Sequence, residues 1–341
     1  METARRLAVL LAISLLVGGG GTAALGTVLP HTSWDEGRSA SELAQQRIAF
    51  RRNGGAVYLM NADGSAQRKV ADGWSFDWSP DGRRLATMND DGIEVVAVDG
   101  SGRSRRVVVN DGLHRSWSVD WSPAGGKLLW NGDEGLSIIS ADGSGRRVVA
   151  PGGAWDAAWS PDGNRIAFAD GRYLYVMNAD GTEQRRLARG IWLTSPAWSP
   201  DGRTIAFQRL TTGATHFWEG SEIYVIEADG TGKRILTARV PVDAQDPVWS
   251  PDGTQVLFVC EEGCVYNKLY VLNARTGAHR RLARGSSADW SPDGRKIAYR
   301  AFVGHNDEIF VMRATGGGHT NVTHTPRNVQ DEDPHWAPAT P

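Results

Sequence analysis

Strong net charge is missing from this chain. Lysine plus arginine number 37 against 39 aspartate plus glutamate, a formal net charge of −2. No global field therefore favours nucleic acid or an anionic membrane surface. Arginine pairs recur at Arg105-Arg106, Arg146-Arg147, Arg185-Arg186 and Arg280-Arg281. Their regular placement reads as outer-strand surface and not as one basic face. Cysteine is nearly absent: Cys260 and Cys264 are the only two, and they bracket Glu261-Glu262-Gly263. A redox-active pair uses two intervening residues and a helix N-terminus, and neither is present. In an oxidising compartment the pair reads as a loop disulfide, with a free pair or half of a metal site as the alternatives. No nucleophile elbow, phosphate-binding loop or dinucleotide fingerprint occurs. Long apolar runs are confined to the N-terminus, where no charge falls between Leu7 and Leu29. With Arg5 and Arg6 before it and Ala24-Leu25-Gly26 as a small-residue cleavage site, the segment 1–29 reads as a signal peptide or an uncleaved anchor. Both readings place the remainder outside the cytoplasm. No cysteine follows the apolar core, which excludes a lipoprotein anchor. Residues 30–46 read as a linker and 47–341 as one repeat-built domain.

Tryptophan, by contrast, is abundant and periodic. Trp-Ser-Pro-Asp-Gly or a close variant opens at Trp78, Trp121, Trp159, Trp198, Trp249 and Trp290, and Trp-Ala-Pro starts at Trp336. The spacings are 43, 38, 39, 51, 41 and 46 residues. A period near forty in an all-β chain points to propeller blades. Within each unit, proline and glycine set a tight turn after the tryptophan. An apolar strand follows, such as Ile166-Ala167-Phe168, then a second, such as Leu174-Tyr175-Val176-Met177. A further turn, clearest at Asn178-Ala179-Asp180-Gly181, leads into a short basic strand. The repeats begin at Ile48-Ala49-Phe50, a second strand without its first, and end at Trp336, a first strand without its second. The expected fold is an all-β, seven-bladed propeller of four-stranded blades, closed by pairing of the N- and C-terminal strands. Six blades is the alternative count.

The string from Leu174 to Gly181, together with Trp198-Ser199-Pro200-Asp201-Gly202-Arg203-Thr204-Ile205-Ala206-Phe207, resembles the TolB-like, or WD40-like (PD40), β-propeller repeat family. The resemblance covers residues 47–341. It implies a bacterial envelope protein whose propeller serves protein interaction, or the gating domain of a larger peptidase. Two departures stand beside it: the linker 30–46 offers no counterpart to the α/β domain of the family's namesake, and seven blades are counted where the namesake has six.

Three sets of residues could carry function. With alternation of two, the residues one and three before each tryptophan share a face. They are Asp77, Asp120 and Asp289 at the first position, and Asp156, Asp246 and Asp333 at the second. Only the strand at Trp198 lacks a carboxylate, with Ser195 and Ala197 there. This is either an acidic ring in the channel, able to hold a cation or a basic segment, or a set of hydrogen-bond staples. The second set is Trp74, Trp117, Trp155 and Trp192, which break the repeat in the loops entering four consecutive units. They suggest either a recognition surface or plugs for the funnel. His216, Trp218 and His305 lie on the long loops of the same face and join this binding set. The third set is histidine: His305, His319, His324 and His335 crowd the last unit, and their spacings match no zinc motif.

The reading is a non-catalytic, extracytoplasmic platform. It needs no cofactor beyond a channel cation, and as a monomer it recognises an envelope or extracellular protein or peptide. It meets membrane only through its N-terminal segment. A metal-dependent carbohydrate lyase or hydrolase, and a glycan-binding module, are the competing readings.

Overall fold

A computed structural model describes residues 46–109, 118–132, 134–154, 156–211, 220–238, 243–262 and 266–339. The N-terminal segment 1–29 and most of the linker lie outside the described residues. What is described is all strand, turn and loop, with no helix. It is a propeller-like all-β fold of antiparallel sheets. Five sheets have four strands and one has seven.

The repeat motif builds the same local structure each time. In Ser79-Pro80-Asp81-Gly82, the Ser79 hydroxyl donates to Asp81 Oδ1 at 2.6 Å and accepts the Arg84 N–H at 2.9 Å. Gly82, at φ 62°, donates its N–H to the Ser79 carbonyl. The serine–aspartate bond recurs at 2.6 Å in Ser160–Asp162, Ser199–Asp201, Ser250–Asp252 and Ser291–Asp293. The donors and acceptors of this reversal lie within five residues, so sequence alone can specify it.

Burial then joins the sheets pairwise. Ala86, Met88, Ile93 and Val95 of one sheet pack with Val119, Trp121, Leu128 and Trp130 of the next. Leu129, Leu136 and Ile138 pack with Trp159, Ile166 and Phe168 in turn. Each such interface carries several fully buried side chains, each stabilising by about 1.5–3 kcal/mol. The chain ends share one sheet: Asp331–Trp336 pairs with Arg47–Arg52, with Ile48 opposite Trp336. Ile48, Phe50 and Met60 of that sheet pack against Ala298, Ile309 and Val311. At the same seam Gly64, at φ 84°, has the Val322 carbonyl oxygen 2.2 Å from where a Cβ would stand, so only glycine fits.

The seven-stranded sheet has one cause. Strand Arg185–Trp198 runs 14 residues without a break. Its first part pairs with Gly171–Asn178 and its second with Thr204–Thr211, and Leu193 pairs with both Gly171 and Arg209. It thus ends one four-stranded unit and begins the next. Trp192, expected in a loop, sits inside this strand. Residues 190–192 face the single residue Arg172 across a register shift, and the resulting bulge turns Ile191 and Trp192 outward.

Candidate functional site

The tryptophan strands are held to one another by two kinds of staple. Where the residue before the tryptophan is Ala158, Ala197, Val248 or His335, its carbonyl accepts the indole N–H of the following unit. The donors are Trp198, Trp249, Trp290 and Trp78, at 3.1–3.3 Å. Where that residue is aspartate, the carboxylate accepts the following tryptophan's backbone N–H instead. Asp77 accepts from Trp121 at 2.6 Å and Asp289 from Trp336 at 2.9 Å. Asp120 is the exception. No hydrogen bond to it is found among the described residues, and the Trp159 indole N–H opposite is buried without a partner.

Electrostatics follows from this geometry. Burial pushes Asp77 up to about 6, against the N–H bonds of Trp121 and Trp78 and the nearby His335. Burial, reinforced by the charges of Asp77 and Asp156, holds Asp120 well above the carboxylate range. Asp289 is raised by burial too, with His335 opposing.

Aspartates three before a tryptophan find other partners. Asp156 accepts the Ser195 N–H at 3.1 Å, and Asp246 accepts the Ser195 hydroxyl at 3.2 Å. The one strand lacking a carboxylate therefore supplies the serine that links its two neighbours. Asp333 pairs with Arg51 at 2.6 Å. Simple alternation does not describe these strands. Ser195, Asp246, Ser287 and Asp333 all have φ between 44° and 51°, and the register shifts beside each of them. A bulge interrupts the period of two in the last four tryptophan strands, which the apolar pattern alone did not reveal.

The repeat-breaking tryptophans also divide. Trp74 is half-buried against the cluster around Val119 and Trp121. Its carbonyl accepts a 2.9 Å bond from Arg51, which also pairs with Glu332. Trp192 is 45% exposed, as is Ile191 beside it. Trp117, Trp155, His216 and Trp218 lie outside the described residues. Ile191 and Trp192 border a cavity of about 540 Å³ lined also by Arg172, Arg189 and Arg209. Those arginines were not singled out from sequence, because nothing in the repeat marks them. Only their meeting across two units makes them a cluster.

The histidines are dispersed. His305 bonds Arg327 at 3.1 Å, His319 bonds Tyr299 at 2.9 Å, and His335 packs edge-on to Phe76 between the inner aspartates. His324 is exposed. Among the described residues, no three His, Cys, Asp or Glu side chains are placed to hold a metal. Cys260 is buried, and burial pushes its thiol up to about 11. Cys264 lies outside the described residues.

Residues 193–340 match the TolB beta propeller domain family (PD40). Over 118 residues the chain is 30% identical to the Tol-Pal system protein TolB of Anaeromyxobacter dehalogenans, covering 34% of this chain and 26% of that protein. The chain thus spans about a quarter of the length of that relative. Among solved structures, TolB from Acinetobacter baumannii aligns over 87% of this chain and 68% of its own, with a TM-score of 0.57 and 18% identity. An oligogalacturonate lyase in complex with manganese aligns over 76% and 82%, with a TM-score of 0.62 and 16% identity. At these identities the solved structures share the fold alone.

Proposed function

We propose that this chain, which carries TolB-like propeller repeats, is a non-catalytic extracytoplasmic platform that recognises a protein or peptide through its loop face. The observation that carries the reading is the contrast between the ends of the tryptophan strands. At one end every described Ser-Pro-Asp-Gly turn is spent on its own reversal. At the other, Ile191 and Trp192 are pushed out of the fold, each 45% exposed. Exposed aromatics outside the repeat can encode specificity and are typical hot spots.

The scaffold reading is a ring of seven four-stranded blades closed by both termini. It is supported by the Ile48–Trp336 pairing and by counting strand Arg185–Trp198 once in each of two blades. Export by the segment 1–29 and a Cys260–Cys264 disulfide belong to the same reading. Protease accessibility on intact cells tests the first, and a mass change on reduction tests the second. A cation among the inner aspartates is a second reading, favoured by the partnerless Asp120 carboxylate. A melting temperature that is unchanged by EDTA and by added calcium rejects it.

The platform reading is tested by capture from envelope extract. Trp192→Ala should reduce capture of the partner and leave the melting temperature unchanged. If substitutions in the turns of the opposite face abolish capture and Trp192→Ala does not, recognition lies on the other face.

A further inference from the structure

We infer that the cleft between Arg172, Arg189 and Arg209 takes an acidic peptide segment, with carboxylates on the guanidinium groups and an apolar side chain against Ile191 and Trp192. The inference rests on the loop-face reading and names the chemistry of its partner.

Arg172 and Arg189 are exposed and have no carboxylate partner among the described residues. Elsewhere arginines such as Arg51, Arg52, Arg103 and Arg300 are ion-paired. Arg172 is steadied over the Tyr173 ring, 5.6 Å from its centroid. Arg209 donates through Nη1 to the Tyr224 hydroxyl at 2.9 Å, which fixes its head. Its Nε is buried with no acceptor. A buried donor left unmade is costly, so this guanidinium keeps an unmet demand for an acceptor beside the cleft. Gly190 packs closely beside this guanidinium. A Cβ there would stand 2.6 Å from Leu193 Cδ2 and 3.2 Å from Arg209 Nε.

The lining favours a peptide over a saccharide. Its side chains hydrogen-bond only through arginine and the indole N–H, which donate and cannot accept. Sugar hydroxyls need acceptors as well as donors. Carboxylates need donors alone, in the bidentate geometry that guanidinium offers. The aliphatic Ile191 beside Trp192 suits a leucine or phenylalanine side chain.

The test is fluorescence anisotropy of the full-length protein with a fluorescein-labelled peptide of alternating glutamate and phenylalanine. Saturable binding that weakens with added salt is expected. Arg189→Glu and Arg172→Glu should each weaken it by about tenfold or more, the scale of one charge-assisted contact. Trp192→Ala should weaken it several-fold, with all melting temperatures unchanged. Equal binding of the glutamine-for-glutamate peptide, or arginine variants that bind like the parent, overturns the inference. So does binding of oligogalacturonate in preference to the peptide. The two readings fail separately. If Trp192→Ala abolishes capture from extract and the arginine variants do not, the acidic ligand is wrong and the face is right. If the arginine variants lose the peptide while Trp192→Ala keeps full capture from extract, the cleft binds acid and the loop-face reading fails.

Discussion

Asp77 and Asp81 stand four residues apart in one repeat, and the fold drives them in opposite directions. Burial raises Asp77 to about 6. At Asp81 burial acts the same way, but the Ser79 hydroxyl and the Arg83 N–H outweigh it and hold the group low. Asp162, Asp201 and Asp252 are likewise lowered, first by the hydroxyls of Ser160, Ser199 and Ser250. The turn aspartates find their donors within the same turn. Asp77 takes one donor from Trp78 and another from Trp121 of another sheet, and Asp120 takes none. Identical side chains are thus satisfied locally at the turns and depend on a neighbouring sheet inside.

The severest way to break this contrast is to remove a partner strand. Deleting residues 331–341 takes Trp336 from Asp289 and Asp331 from Arg52, and bares the edge of strand Arg47–Arg52. Loss of cooperative thermal unfolding is expected. The turn at Ser291–Asp293, being local, does not depend on that strand. A truncated protein that melts like the parent removes the end-to-end pairing from the stability account.

A sharper comparison sets Asp77 against Asp120. Asp77→Ala leaves the Trp121 and Trp78 N–H groups without their acceptor and should cost about 2 kcal/mol. Asp120→Ala removes a desolvated carboxylate with no hydrogen bond and should be neutral or stabilising by up to about 1 kcal/mol. Urea titrations of both variants decide it. Equal costs would mean that Asp120 has a staple too.

The pH dependence separates the two sets by sign. Asp77 has a folded pKa above its unfolded value. Its contribution is therefore complete below the ordinary carboxylate range and is lost as pH rises towards about 6. Between about pH 4 and about pH 7 this amounts to about 2 kcal/mol, and Asp77→Asn should flatten that part of the profile. The turn aspartates run the other way: their stability is present at neutral pH and lost as pH falls through the acid range. Urea midpoints measured across that window check both slopes. A profile for Asp77→Asn parallel to the parent's would assign the slope to other groups.

The smallest effect is expected at one turn. Asp201→Ala removes the acceptor for the Ser199 hydroxyl and the Arg203 N–H. Water can replace it at this exposed site, so the cost should be about 1 kcal/mol. A loss exceeding that of Asp77→Ala would invert the contrast between turn and interior.

Much of the fold was legible in the repeat, and little of the candidate site was. The four-stranded units could be read because turn residues fall at fixed offsets and the strands between them are apolar. The inner aspartates were found as a periodic set, but their environments were not. Alternation fails at Ser195, Asp246, Ser287 and Asp333, where a bulge with positive φ intervenes. The repeat-breaking tryptophans looked alike in sequence, yet Trp74 packs against a core cluster and Trp192 faces outward. Arg172, Arg189 and Arg209 carry no signal at all, because a cleft between two units has no signature in either.

Sequence by itself determined the turns, the order of apolar strands between them and the repeat that stacks them. Each of those depends on bonds made within a few residues, so local chemistry suffices. Only the tertiary structure decided which aspartates are stapled, which tryptophan is exposed and which arginines meet. Those outcomes depend on desolvation and on partners about forty residues away, as in the bond from Trp121 to Asp77. The repeat sets that distance, but the packing of one sheet on the next decides whether the bond forms.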